Sequence, residues 1–121
     1  MQDVLSNMLV RLRADNDLDL AAVTADGLLV AADFADGLDS DAICATASDG
    51  YLMMAALGQD LQRGEQIMLT IDYANGSVLI CPFEHGAVLV MLTGAAVNLG
   101  RLRLAARRFQ AQYLEATAVA V

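Results

Sequence analysis

Residues 66–93, QIMLTIDYANGSVLICPFEHGAVLVMLT, hold three apolar runs, at 67–73, 77–83 and 87–92. Asn75-Gly76 separates the first two and His85-Gly86 the second and third. Asn-Gly between apolar runs is a strong hairpin signal, because both central residues of a type I′ turn need φ > 0. The stretch therefore reads as a three-stranded antiparallel meander. Ile67, Leu69, Ile71 and Tyr73 alternate with Met68, Thr70 and Asp72, as a strand with one better-buried face should. The run Ala87-Val88-Leu89-Val90-Met91-Leu92 does not alternate. A strand apolar on both faces is central and covered from both sides, so the rest of the chain has to supply helices for both faces.

At 121 residues and 57 % hydrophobic, with a single proline, the chain is one domain (1–121) that can bury a core without staples. No repeat, low-complexity tract or linker interrupts it. The net charge of −8 argues against nucleic acid and anionic membrane surfaces as partners. No apolar run approaches the roughly 18 residues of a membrane span, and residues 1–30 lack a signal peptide's pattern, so a cytoplasmic protein without membrane insertion is expected. All seven basic residues are arginine. A P-loop needs a lysine on its phosphates and a Schiff base needs an amine, so neither chemistry can come from this chain's own residues.

Outward from the meander, residues 2–14 read as a helix with Val4, Leu5, Met8, Leu9 and Leu12 in one stripe, and Arg11 and Arg13 near its C-terminal end. Asp15, Asp17 and Asp19 resemble the opening of a calcium loop. Leu20 stands where such a loop needs glycine, and Asp26 where it needs glutamate, so a solvated turn is the reading. Asp26-Gly27 between the apolar runs 20–24 and 28–32 predicts a second hairpin.

A long helix follows over about 40–62, with Asp39 or Ser40 as N-cap and Gly64 just past its end. Ile43, Ala47, Met54, Leu57 and Leu61 are assigned to the sheet side. Leu52, Met53 and Ala56 lie away from that stripe, and only Thr46, Asp49 and Asp60 mark a polar strip. A helix apolar around most of its circumference needs two apolar neighbours, its own sheet and a partner chain. After the meander Asn98 is an N-cap, and Leu99, Leu102, Ala106, Phe109 and Tyr113 keep helical spacing for about four turns. Arg101, Arg103, Arg107 and Arg108 decorate this last helix, as a solvated face or as an acceptor surface for an acidic partner.

The expected fold is thus α+β in the order αββαβββα: a five-stranded antiparallel sheet with the long helix on one face and two helices on the other. The strand at 67–73 can be a sheet edge. It carries no proline or lysine, and such an unprotected edge is explained if it pairs with its own copy about a two-fold axis. The expected dimer interface comprises Leu52, Met53 and Ala56 of the long helix with Ile67, Met68, Leu69, Thr70 and Ile71 of the edge.

Catalytic constellations are missing from the sequence. His85 reads as a turn histidine, Cys44 and Cys81 as buried thiols, and Ser6, Ser40, Ser48 and Ser77 have no nucleophile-elbow context. The sequence points to no cofactor and no metal.

The element order over nearly the whole chain resembles the Roadblock/dynein-light-chain domain family. The matching features are the first hairpin with Asp26-Gly27-Leu28, the long helix ending near Gly64, the meander, and Asn98-Leu99-Gly100 opening the last helix. The resemblance implies a non-catalytic homodimer that packs long helix on long helix and joins sheets at the strand matching 67–73. It also implies, for bacterial members, binding to small Ras-like GTPases with effects on their nucleotide cycle. The alternatives are a small-ligand-sensing domain of similar architecture, for which the six scattered aromatics and absent tryptophan supply few anchors, and a self-assembling structural protein.

Overall fold

A computed structural model describes residues 2–83, 86–95 and 97–119. The elements are α1 (Gln2–Asn16), β1 (Leu18–Ala25), β2 (Leu28–Phe34), α2 (Ser40–Asp60), β3 (Leu69–Tyr73), β4 (Gly76–Pro82), β5 (Ala87–Thr93) and α3 (Leu99–Val119), in the expected order. One antiparallel sheet runs β2-β1-β5-β4-β3. β5 is central, as its two-faced apolar run requires, and β3 is an edge. The expected turn histidine, His85, lies outside the described residues.

Strand alternation divides the core into two layers. Leu89 and Met91 of β5, with Ala21, Val23, Leu79 and Cys81, pack against Leu5, Leu9 and Leu12 of α1 and Leu102, Ala106 and Phe109 of α3. Val88 and Val90, with Leu20, Ala22 and Ile80, pack against Cys44 and Ala47 of α2. Full burial of leucines such as Leu9 and Leu89, both 0 % exposed, contributes about 2 kcal/mol each.

The ends of the elements follow local chemistry. Asp26 (φ 52°) and Gly27 (φ 81°) form the two-residue turn between Ala25 and Leu28, the type I′ geometry that Asp-Gly favours. The Asn75-Gly76 hairpin differs from the expectation by one residue. Tyr73 pairs with Gly76, so the loop is Ala74-Asn75, and neither residue has positive φ. Gly76 is needed as the first residue of β4, where a Cβ would collide with the carbonyl oxygen of Thr93. Asp39 caps α2, its carboxylate accepting from the Ala42 N–H at 3.1 Å. At the other end Arg63 N–H donates to Gly58 and Gln62 N–H to Gln59, a Schellman pair with Gln62 (φ 55°) in the left-handed position. The stop is therefore set two residues before Gly64. Asn98 caps α3 by accepting from the Arg101 N–H at 3.1 Å, and α3 runs to Val119, past the four turns of the apolar spacing.

Both cysteines are free and buried on opposite faces of the sheet, Cys44 under α2 and Cys81 under α1 and α3. Burial pushes the Cys81 thiol up to about 12. Burial, with a smaller push from the Asp41 carboxylate, raises Cys44 to about 11. Neither thiol is ionised at neutral pH.

Two outcomes follow from this architecture. Gly76→Ala forces a methyl group into the Thr93 carbonyl and should cost about 3 kcal/mol in urea unfolding, whereas Gly94→Ala, whose added Cβ meets nothing within 4 Å, should cost under about 1 kcal/mol. Both thiols should react slowly with an aromatic disulfide reagent in the native state and rapidly in denaturant. Because folding raises both pKa values, ionisation favours the unfolded chain, so the stability the neutral thiols provide should be lost as pH rises past 9.0 toward about 11 for Cys44 and about 12 for Cys81. Urea midpoints across that range, compared with a Cys44→Ala/Cys81→Ala variant, read this directly.

Candidate interaction surface

The side of α2 that meets the sheet is lined by small residues. Ser40, Cys44, Ala47 and Ser48 are buried, and Ile43, Tyr51 and Ala55 half-buried. The Ser48 hydroxyl reaches the Thr24 hydroxyl of β1 at 3.4 Å inside this contact. This corrects the sequence assignment for three residues. Met54, Leu57 and Leu61 do not face the sheet but stand exposed with Leu52 and Met53, which are 62 % and 68 % exposed. Side chains as short as alanine and serine let the helix backbone approach the sheet closely, and the bulky residues are left on the outer side. Ala56 is exposed among them. Five apolar residues of α2 and its C-cap Leu61 are thus exposed to solvent, more than scattered exposure accounts for.

The second exposed feature is the edge strand β3. The Phe83 N–H donates to Ala87 of β5, so by alternation the nitrogen of Pro82 faces the β3 side. In the β3–β4 register Ile67 would lie opposite Pro82, which has no N–H to donate. The ladder therefore begins at Leu69, and residues 67 and 68 are irregular, where the sequence predicted strand. The freed Pro82 carbonyl accepts from the Gln110 side chain of α3 at 3.1 Å. The same alternation turns the backbone groups of Leu69, Ile71 and Tyr73 toward β4 and those of Thr70 and Asp72 outward, where no strand of this chain meets them.

Of the residues expected at a dimer seam, Leu52, Met53, Ala56 and Ile67 are exposed, Ile67 at 81 %. Met68 packs on the α1–α3 layer, Leu69 on the α2 layer, and Thr70 and Ile71 are half-buried on the edge. A groove of about 1040 Å³ runs along the segment before β3, between α2 and α3. Tyr51, Ala55 and Gln59 of α2 form one wall, Ile67, Met68 and Thr70 the middle, and Arg103, Arg107 and Leu114 of α3 the other wall. The Gln66 side chain ties the segment before β3 to α2 by donating to the Tyr51 carbonyl at 3.0 Å.

Other candidates separate in space. Cys44 and Cys81 lie on opposite faces of the sheet and cannot share a metal. Asp15, Asp17 and Asp19 fall at the end of α1, in the turn and on β1, and no metal-binding group of three or more ligands occurs among the described residues. Phe83, Phe109 and Tyr113 form a cluster with ring centroids 5.4–6.5 Å apart, so half of the aromatics expected to be scattered meet below the sheet edge. The spacing of 109 and 113 was a signal for two of them; Phe83 had none. No helix among the described residues is long and apolar enough to cross a membrane.

Known proteins share this arrangement. MglB of Myxococcus xanthus superposes with a TM-score of 0.90 at 16 % identity, over 99 % of this chain and 92 % of that one. A Roadblock/LC7 domain from Streptomyces avermitilis gives 0.85 at 16 % identity, over 93 % and 97 %. The gliding protein MglB of Thermus thermophilus gives 0.78 at 14 % identity, over 89 % and 84 %. At these identities the likeness is one of fold. No curated protein matches the chain in sequence at a significant level. Residues 7–93 match the sequence pattern of the Roadblock/LC7 domain, which takes in most of α1, the whole sheet and α2, and the chain belongs to that family.

Proposed function

We propose that this protein is a non-catalytic homodimer that binds a small Ras-like GTPase and modulates its nucleotide cycle. The observation that carries the reading is the pairing, in one chain, of an exposed apolar face on α2 with an edge strand, β3, whose outward backbone no strand of this chain meets. Antiparallel pairing of β3 with a second copy about a two-fold axis satisfies the outward groups of Thr70 and Asp72. The same axis sets Leu52, Met53 and Ala56 against their own copies. Burying a leucine or methionine contributes about 1.5–3 kcal/mol each, enough in sum to hold a modest interface against the cost of association. The GTPase partner follows from the family, whose bacterial members, as the sequence resemblance implies, bind such proteins. With no lysine the chain has no P-loop of its own, so it acts by holding the partner's switch loops in one arrangement.

Light scattering should give a mass twice the 12.8 kDa of one chain. Ala56→Arg puts two unpaired cations across the two-fold axis in a desolvated contact, at a cost of several kcal/mol, and should yield a monomer or an insoluble protein. The wild type should co-purify with a Ras-like GTPase of its host loaded with GDP or a GTP analogue, and the variant should not. A wild-type monomer, or a variant that stays a stable dimer, removes the seam. GTP turnover by the purified protein alone removes the regulator.

A further inference from the structure

We infer that the groove between α1 and α3 is a docking site for an acidic amphipathic helix of a partner protein, gripped by Arg11, Arg101 and Arg108. The first observation is charge segregation. In a chain of net charge −8, six of the seven arginines lie on α1 and α3, while α2 carries Asp41, Asp49 and Asp60 and no basic residue. The buried stripe of α3 then splits its arginines, Arg103 and Arg107 to the edge groove, Arg101 and Arg108 to the α1 side.

On the α1 side lies a separate groove of about 780 Å³. Met8, Ala105 and Phe109 lie along it, half-buried or buried, and Val4 and Leu104 line it while 48 % and 47 % exposed. Around this apolar floor stand three exposed arginines against one carboxylate, Asp15. Arg101 is already held in place. Its Nη2 donates to the Asp15 carbonyl at 3.0 Å, at the C-terminal end of α1 where positive charge is favoured. Among the described residues neither Arg11 nor Arg108 forms an ion pair; the nearby Arg13 is engaged with Asp33 at 3.3 Å.

Shape selects the occupant. The contact of Arg101 with Asp15 sets the start of α3 beside the end of α1, and the groove is lined from Val4 to Asn16 on one side and from Gln112 back to Arg101 on the other. The stretch from Val4 to Asp15 is roughly 16 Å long, about three turns of a docked helix. Such a helix buries leucines on the floor and sets carboxylates against the guanidinium rim. A flat anionic bilayer would leave the concave floor unfilled and would meet the repulsion of the net negative chain.

The test uses two synthetic helical peptides of about 14 residues. They share one leucine stripe, with glutamates on the flanks of one and lysines on the other. Amide NMR shifts and fluorescence anisotropy are read for the whole chain. The glutamate peptide should bind, shift amides around Met8 and Leu104, and release with added salt, while the lysine peptide should not bind. Arg101→Glu/Arg108→Glu should weaken binding at least about tenfold, and Arg103→Glu/Arg107→Glu should leave it unchanged within about twofold. Arg11→Glu/Arg108→Glu, which keeps the Arg101 contact with α1, repeats the first test if that variant folds poorly. Absence of glutamate-peptide binding, equal binding of both peptides, or affinity that survives loss of the groove arginines would overturn the inference. So would sedimentation with phosphatidylglycerol vesicles, sensitive to the same arginines, in place of peptide binding.

Discussion

Strand β5 sends fully buried side chains to both faces of the sheet, Leu89 and Met91 to one and Val88 and Val90 to the other. Keeping water from both faces at once is the constraint from which the helix placement follows. A sheet wetted on one side would expose one of these pairs, and no local propensity could compensate. The central position also fixes the close backbone contacts of β5. Gly76 meets the Thr93 carbonyl where any side chain would collide, and the Thr93 hydroxyl accepts from the Ser77 N–H at 3.2 Å while donating to the Gly94 carbonyl. The central ladder is thus closed at its end by side chain as well as backbone.

The two faces solve the covering problem differently. On one, α1 and α3 share the work and present leucines and Phe109 inward. On the other, α2 stands alone over β1, β2 and β5 and meets them through Cys44, Ala47 and Ser48. A single helix that sits this low has spent its small residues on the sheet. Its Leu52, Met53, Leu57 and Leu61 are then left outside, so the exposed apolar face and the close packing are two sides of one arrangement.

How much of this could be read from the residues alone depended on whether the signal was local. Element order, the Asp26-Gly27 turn and the caps at Asp39 and Asn98 depend on residues a few positions apart, and the chain displays them directly. The inward face of α2 differs from the sequence pattern at Met54, Leu57 and Leu61, because closeness of approach and not bulk decides which residues meet the sheet. The start of β3 was placed two residues early because the missing donor sits on Pro82, in the neighbouring strand. Gly76 was assigned to a turn when its need for glycine comes from Thr93, seventeen positions away. In the candidate site, the exposure of Leu52, Met53 and Ala56 was legible from the helix pattern. The groove between the edge and α3 was not, because its walls come from three separate elements.

Charge gives the two outer surfaces opposite physics. The α2 face is apolar but flanked by Asp41, Asp49 and Asp60, with no cation on the helix. Two such faces brought together are attracted by apolar burial and opposed by like charge, so screening strengthens the pair. The α1–α3 groove is the reverse: its three arginines attract an acidic segment, and screening weakens the grip. If both surfaces are occupied as proposed, added salt should favour self-association and release the acidic partner in one titration.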